Sequence, residues 1–427
     1  MLSNQSDDEI SFYNFEYHKE ANLPRILTDG PLKLKKKSFM NDSFLSSESS
    51  IISKAYSYSS LLSIKTASSI LFNKEKQEDV DSDDLLSPVL SNSVNCSASE
   101  MYLTKAIFYS SFQIHALKSH TANILENEIF VFGGTNDFEC KICIFLVKIN
   151  ILCLDTMYWH FLKINGKPPM PCQNHTATNV GKNIVIFGGN DEKTYYNTVH
   201  VFDVTRYYWY TPITSTVKPI PRKGHTACFY NSSIYYFGGE TDTKALNDLW
   251  KLDCSDLDFP IWSEVETTGH KPSPRAYHSA NIIGSNMVII GGSNNIDVFG
   301  DIFILNIEKS LWIKVNIQLS LPRLAHNSTI IGPYLFISGG RDKLSYFSDI
   351  SLLNITTMKW EKKKINSAVS FERAHHASVF SDFRLFFIGG TDGKTLFSDI
   401  YFVELASMAY YSSVSICHSL WLVTDLF

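Results

Sequence analysis

Six histidines, His120, His175, His225, His278, His326 and His376, are each followed thirteen positions later by a glycine: Gly133, Gly188, Gly238, Gly291, Gly339 and Gly389. Each of these glycines has a second one after it: Gly134, Gly189, Gly239, Gly292, Gly340 and Gly390. Tryptophan follows the same spacing. Trp209, Trp312 and Trp360 lie 21 residues beyond the first glycine of their unit, Trp159 and Trp262 lie 26 and 24 beyond, and the sixth unit has Tyr410 at spacing 21. From each tryptophan to the next histidine the distance is 16 in four cases of five, which sets a basic period of 50 residues. A period of this size marks a repeat architecture, in which each unit buries its apolar surface against its neighbours.

The composition inside one period says what the unit is. Between histidine and glycines run segments such as "TATNVGKNIVIF" and "SANIIGSNMVII", two short β-prone runs joined at a polar or glycine turn, which is a hairpin pattern. A third run follows the glycines, as in "DLWKLD" (248–253) or "DIFILN" (301–306), and a fourth starts at the tryptophan, as in "WIKVNI" (312–317). Four strands per 50 residues make one blade of a β-propeller, and six units predict six blades. Near-continuous apolar runs such as "IVIF" and "MVII" fit strands buried on both faces. The glycine pair fits a strand end that needs positive φ or close backbone approach, and the tryptophan is expected to fill the space the missing side chains leave.

The rest of the 427-residue chain has a different texture. Residues 1–100 hold 22 serines and one glycine, a basic run "KLKKK" at 33–37, an acidic run "QEDVDSDD" at 77–84 and no sustained apolar period. Such a segment cannot bury enough apolar surface to offset its ordering entropy, so it reads as a disordered arm; its serines and the Ser87-Pro88 step are candidate phosphorylation sites. The net charge of −5 gives no basic excess for nucleic acid or anionic lipid. The start "MLSNQSDDEI" lacks a signal-peptide pattern, and the thirteen-residue run 142–154 carries Lys148 and is too short to span a bilayer, so a cytoplasmic protein without membrane insertion is expected. Of eight cysteines only Cys140 and Cys143 form C-x-x-C, with no second pair to complete a zinc set; no metal or other cofactor is expected.

The frame resembles the kelch repeat. The residues that carry the resemblance are the Arg-x-x-His starts at Arg222, Arg275, Arg323 and Arg373, the six glycine pairs, Asn247 with Asp248, and the tryptophans; it covers roughly residues 104–411. The resemblance implies an all-β, six-bladed kelch-type propeller, here over 101–416, with 1–100 as the arm and 417–427 as an unassigned tail. Units one and two depart from the pattern, with Leu117 and Cys172 in place of the arginine, and the loop after Gly134 is about five residues longer than in unit five. A closed ring must hide its edge strands, and two segments compete to complete the last blade: 104–111, in the register of a fourth strand before unit one, and 410–416, which follows unit six.

The six histidines repeat at one point of the frame, whereas a metal or catalytic site needs different residue types converging once. They read as structural, with no catalytic residue assigned. The resemblance also covers copper oxidases similar to galactose oxidase, but no residue here matches their tyrosine–cysteine crosslink and copper ligands. Ubiquitin-ligase adaptors of the family carry a further partner domain that residues 1–100 do not provide. What remains is a binding platform for a protein or peptide partner, of either oligomeric state, on which variable loops stand upon a rigid scaffold. In kelch propellers that bind peptides, the loops after the glycines and before the histidines form the partner face. The candidates there are Asp191, Tyr195, Asp242, Asn294, Arg341, Tyr346, Asp392 and Lys394. Tyr195, Arg341 and Tyr346 are the better anchors, since Tyr and Arg dominate hot spots, whereas Asp and Asn are also good turn formers; Phe299, Phe347 and Phe397 share a register expected to pack inside.

Overall fold

Each thirteen-residue frame becomes an antiparallel hairpin with a two-residue turn. In the computed structural model, which describes residues 101–112, 114–136, 149–161, 164–191, 193–361, 365–367 and 370–405, Thr176–Val180 pairs with Asn183–Phe187 and Ser279–Ile283 with Asn286–Ile290, in register throughout. The third strand of each unit pairs back on the second, as Val199–Asp203 and Ile302–Asn306 do, and the tryptophan strand pairs on the third. Six such sheets form, one per unit. The innermost strands, those that follow the repeat histidines, contact one another in a closed cycle from Thr121–Leu125 round to Ala377–Ser381 and back. The described chain is therefore a six-bladed propeller.

The core is divided among the seams. Each of six apolar clusters draws its buried residues from two adjacent blades: Phe130, Phe132 and Ile151 of blade one meet Ile184, Phe202 and Trp209 of blade two. This explains why strands such as Asn286–Ile290 and Ile302–Asn306 are buried at every position, since both faces meet another sheet. The tryptophans reach onto the preceding blade. Trp209 lies 4.9 Å from Phe132, Trp262 4.8 Å from Phe187 and Trp312 5.0 Å from Phe237, ring centre to ring centre. Their role differs from the one expected, because the space beside the glycines is taken by histidine rings and carbonyl oxygens.

The ring closes through the segment before unit one. Met101–Lys105 pairs antiparallel with Ile400–Glu404, the third strand of blade six, with Leu103 opposite Val403. The closing strand thus begins three residues earlier than 104–111; Tyr109–Ser110 instead pairs parallel on the tryptophan strand of blade one. In the register where Trp312 faces Leu305, blade six has Leu103, so the slot assigned to Tyr410 is filled by a residue from the other end of the repeat region. Leu103 and Met101 pack on Phe336, Ile350 and Leu352 of blade five as the tryptophans do on their own neighbours. Tyr410, the competing segment 410–416, the arm 1–100, Cys140 and Cys143, and 417–427 lie outside the described residues. No helix among the described residues is long and apolar enough to cross a membrane.

Candidate functional site

The repeat histidines occupy the seams. A Cβ added to Gly188 would stand 2.6 Å from Cε1 of His225 and 2.9 Å from the Arg222 carbonyl of the next blade, while one added to Gly189 would stand 2.8 Å from the Cβ of His175 in its own. The first glycine seats the neighbour's histidine and the second seats the blade's own. With φ of +69° and +85° at these two positions, only glycine meets both requirements without strain. The N–H of each second glycine crosses the seam to a carbonyl of the next blade, from Gly134 to Cys172 through to Gly390 and Leu117, so six such bonds encircle the molecule.

Hydroxyls complete the histidine seats. Thr121, Thr176, Thr226 and Ser279, each directly after a repeat histidine, share a hydrogen bond of 2.8–2.9 Å with Nε2 of the next blade's histidine. Blade five has Asn327 at that place, and Ser338, its partner across the hairpin, bonds His376 instead at 3.0 Å. Blade six has Ala377, and no side-chain hydroxyl reaches His120; the Ile388 backbone offsets part of the cost of burying its ring. Burial holds all six imidazoles neutral: it brings His120 down to about 4 and His175 and His326 to about 3, and it holds His225, His278 and His376 well below the usual range.

The arginines of the Arg-x-x-His starts form a second repeated device. Arg222 donates to both carboxylate oxygens of Asp248 at 2.7 Å and to the Gly238 carbonyl at 3.0 Å. Arg275 with Asp301, Arg323 with Asp349 and Arg373 with Asp399 repeat the pair at the same separation of 26 residues. Burial works against ionisation of Asp248, but the hydrogen bonds and charge of Arg222 outweigh it and hold the carboxyl below its ordinary range. Phe299, Phe347 and Phe397 lie against these guanidinium groups, at 4.4, 5.0 and 4.6 Å. Blade two lacks the device: Cys172 and Thr198 stand at the two positions and a cavity of about 50 Å³ remains beside them. Burial and then the Asp191 charge push the Cys172 thiol up to about 12, so it is an unreactive thiol.

What varies from blade to blade is gathered at one end of the channel. The residues just before the repeat histidines, Ser119, Asn174, Gly224, Tyr277, Ala325 and His375, all have φ between 53° and 62°. Each donates its N–H to the carbonyl of its counterpart in the preceding blade, Ser119 to His375, Asn174 to Ser119, and so on round to His375 and Ala325. Six hydrogen bonds thus close a backbone ring around the channel mouth. The side chains that the ring carries differ in every blade.

The post-glycine loops stand around this mouth, and the structure separates the sequence candidates into two groups. Asp191 accepts from the N–H groups of Lys193 and Thr194 and from the Tyr196 hydroxyl, Asn294 from Ile296 and Asp297, and Asp392 from Lys394 and Thr395, so these three close their turns. Asp242 and Lys394 are exposed at the loop tips. Tyr195 lies under the Lys223 ammonium at 5.2 Å, Lys223 pairs with Glu240 at 3.5 Å, and Glu240 accepts the Tyr277 hydroxyl at 2.9 Å. Tyr277 then meets His375 edge-on at 5.8 Å. Arg341 lies 6.0 Å from the ring of Tyr346, whose hydroxyl-bearing edge lies against Gly393 of blade six. Tyr195 and Tyr346 are thus tied into clusters that cross blades. Lys223, Glu240, Tyr277 and His375 escaped sequence reasoning; their signal was the position beside each repeat histidine, or after each glycine pair, where the frame stops repeating. The second oxygen of the buried Glu240 carboxylate, Oε2, has no hydrogen-bond partner. No group of three His, Cys, Asp or Glu among the described residues is placed to hold a metal ion.

Residues 119–340 and 261–419 match the model of the KLHDC2/KLHL20/DRC7 Kelch-repeats domain. Among curated proteins, the chain is 29% identical over 195 residues to Acyl-CoA-binding domain-containing protein 4 of Arabidopsis thaliana, a match that covers 45% of this chain and 28% of that protein. It is 26% identical over 191 residues to human Kelch domain-containing protein 3, covering 42% and 48% respectively. It is 32% identical over 208 residues to Rho GTPase-activating protein gacHH of Dictyostelium discoideum, covering 47% and 10%. The chain thus spans less than half the length of each of these relatives.

Proposed function

The chain belongs to the KLHDC2/KLHL20/DRC7 kelch-repeat family, and from this premise we propose that it is a non-catalytic scaffold which presents its channel-mouth face to a protein or peptide partner. One observation carries the reading: the repeated residues are committed to the seams and to the buried arginine–aspartate pairs, while the unrepeated Tyr195, Lys223, Glu240, Arg341 and Tyr346 stand on the loops beside the backbone ring, of which Tyr277 is a member. Rigid aromatic and arginine side chains on a fixed frame lose little entropy on binding, which is what hot spots require. Asp242 and Lys394 form the exposed rim of this face. The scaffold would act in the cytoplasm, in polarity, trafficking or cytoskeletal control.

The test is affinity capture with identification of the partner by mass spectrometry, followed by binding measurements on Tyr195→Ala, Arg341→Ala and Tyr346→Ala. Loss of about 2 kcal/mol, close to thirtyfold in Kd, at one or more of these positions is expected. Unchanged affinity for all three places the interface elsewhere.

A further inference from the structure

Blades three and five lack an outer strand that the other four blades carry. Blades one, two, four and six each carry a fifth strand laid parallel on the outermost one, as Asn165–Gly166 lies on Tyr208–Trp209 and Thr268–Gly269 on Leu311–Trp312. In blades two and four the carbonyl of the tryptophan receives an N–H from the added strand, from Lys167 and His270. Along Ile261–Glu264 of blade three runs only the linker around Ile213–Ser215. Ile213 donates to the Asp258 carbonyl at 3.1 Å and the Ser215 hydroxyl accepts from Trp262 at 3.0 Å, but the Trp262 carbonyl receives no N–H from the described residues.

The same edge is apolar and uncovered. Ile213, Val217, Phe259 and Ile261 are 71%, 66%, 58% and 61% exposed, on two segments joined by the bonds just named. Single exposed apolar residues are ordinary, whereas a contiguous set marks a contact surface. Beside it, at the end of the blades opposite the channel-mouth loops, a groove of about 520 Å³ runs between blades two and three. Asp203, Asp256 and Asp258 line it around Tyr208 and Tyr210, with Arg206 as the single cation. Arg206 pairs with Asp203 at 3.6 Å, and burial, and then the charges of Asp258, Asp203 and Asp256, push the Tyr210 hydroxyl up to about 12, with Arg206 acting the other way.

We propose that this corner docks an extended segment of a partner protein in which lysine or arginine alternates with β-branched or aromatic residues. The apolar side chains cover Ile213, Phe259 and Ile261. A basic side chain enters the groove between Asp256 and Asp258 and lies over the tyrosine rings, where Coulomb and cation–π attraction add. An edge that lacks its fifth strand also offers main-chain pairing to an incoming segment. The acidic lining repels nucleic acid and anionic membrane, and it would face its own carboxylates in a second copy of this chain. The surface is separate from the channel mouth and does not depend on the function assigned there.

The probe is the fluorescein-labelled octapeptide TVKVRVKT, with the acidic TVEVEVET as its counterpart, titrated by fluorescence anisotropy against the full chain at low salt. Saturable binding of the basic peptide, at least about tenfold tighter than the acidic one, is expected. Ile261→Asp, and separately Asp256→Asn with Asp258→Asn, should each weaken it by about tenfold or more, the second pair also flattening its salt dependence. Tyr195→Ala and Arg341→Ala should leave it unchanged, which keeps this result distinct from that of the channel mouth. Ile261, Asp256 and Asp258 are exposed, Tyr195 and Arg341 are partly buried, and matching thermal melts verify that the variants fold. Absence of saturable binding overturns the proposal, as does binding that survives both sets of changes. A concentration-dependent dimer in sedimentation, abolished by Ile261→Asp, would overturn it in favour of a second copy at this edge.

Discussion

Lowering the pH from 7.5 to 5.5 should remove most of the stability of this propeller, because its six seams are each sealed by a neutral histidine. The folded-state values lie at about 4 for His120 and about 3 for His175 and His326, with the other three well below the usual range, so none of the six imidazoles binds a proton in the native state at pH 5.5. In the unfolded chain each titrates near 6.5. A depressed folded value means that stability is complete above about 6.5 and declines as pH falls towards the folded value, since the unfolded state takes up protons first. At pH 5.5, a full unit below the unfolded value, each histidine costs between about 1 and 2 kcal/mol, which for six amounts to about 8 kcal/mol. Domains are stable by about 5–15 kcal/mol, so this loss is decisive. The carboxylates that are held low by arginine, Asp248 and Asp349, lose their contribution only as pH drops through and below their ordinary value near 3.8, so they add little to the change between pH 7.5 and 5.5. Urea unfolding followed by tryptophan fluorescence at pH 7.5, 6.5 and 5.5 measures the effect. His225→Gln should make the protein less stable at pH 7.5 yet reduce the loss between 7.5 and 5.5 by about one-sixth, one proton's share. A total change below about 2 kcal/mol between pH 7.5 and 5.5 would refute the assignment of these rings as buried and neutral.

Further outcomes follow from the same geometry. Ala377→Ser should give His120 the hydroxyl that blades one to four supply to their neighbours, raising the unfolding free energy by about 1 kcal/mol in urea titration. Asp301→Ala should strand the fully buried Arg275 and cost about 3–5 kcal/mol by the same measurement, because a buried charge is left without its partner. Leu103→Asp, in the closing strand, should lower the melting temperature steeply, while the exposed Tyr102→Asp on the same strand should leave it within a few degrees. Gly339→Ala should destabilise, since its Cβ would come within contact of the Arg373 carbonyl at a φ of +55°; a thermal melt unchanged from the parent would contradict the seam.

Local chemistry made much of this protein readable from its residues. A two-residue turn between β-prone runs specifies a hairpin wherever it occurs, so the thirteen-residue frame, the strand count per unit and the number of units all followed from spacing. The histidines were recognisable as architecture because they recur, and the loops were recognisable as the variable part because they do not. The tertiary structure decided everything that depends on what a unit meets across a seam. Sequence spacing cannot tell that Gly188 makes room for His225 rather than for a tryptophan, because the two lie on different blades and approach only when the sheets stack. The pairing of Arg275 with Asp301 is regular in sequence but becomes an ion pair only when the segments leading into the blade's inner and third strands meet across the end of the second, where Arg275 also reaches the Gly291 carbonyl. Closure is the extreme case. Leu103 and Val403 are 300 residues apart, and nothing local to either specifies the other; the ring selects the strand whose apolar residues can fill the last seam against blade five.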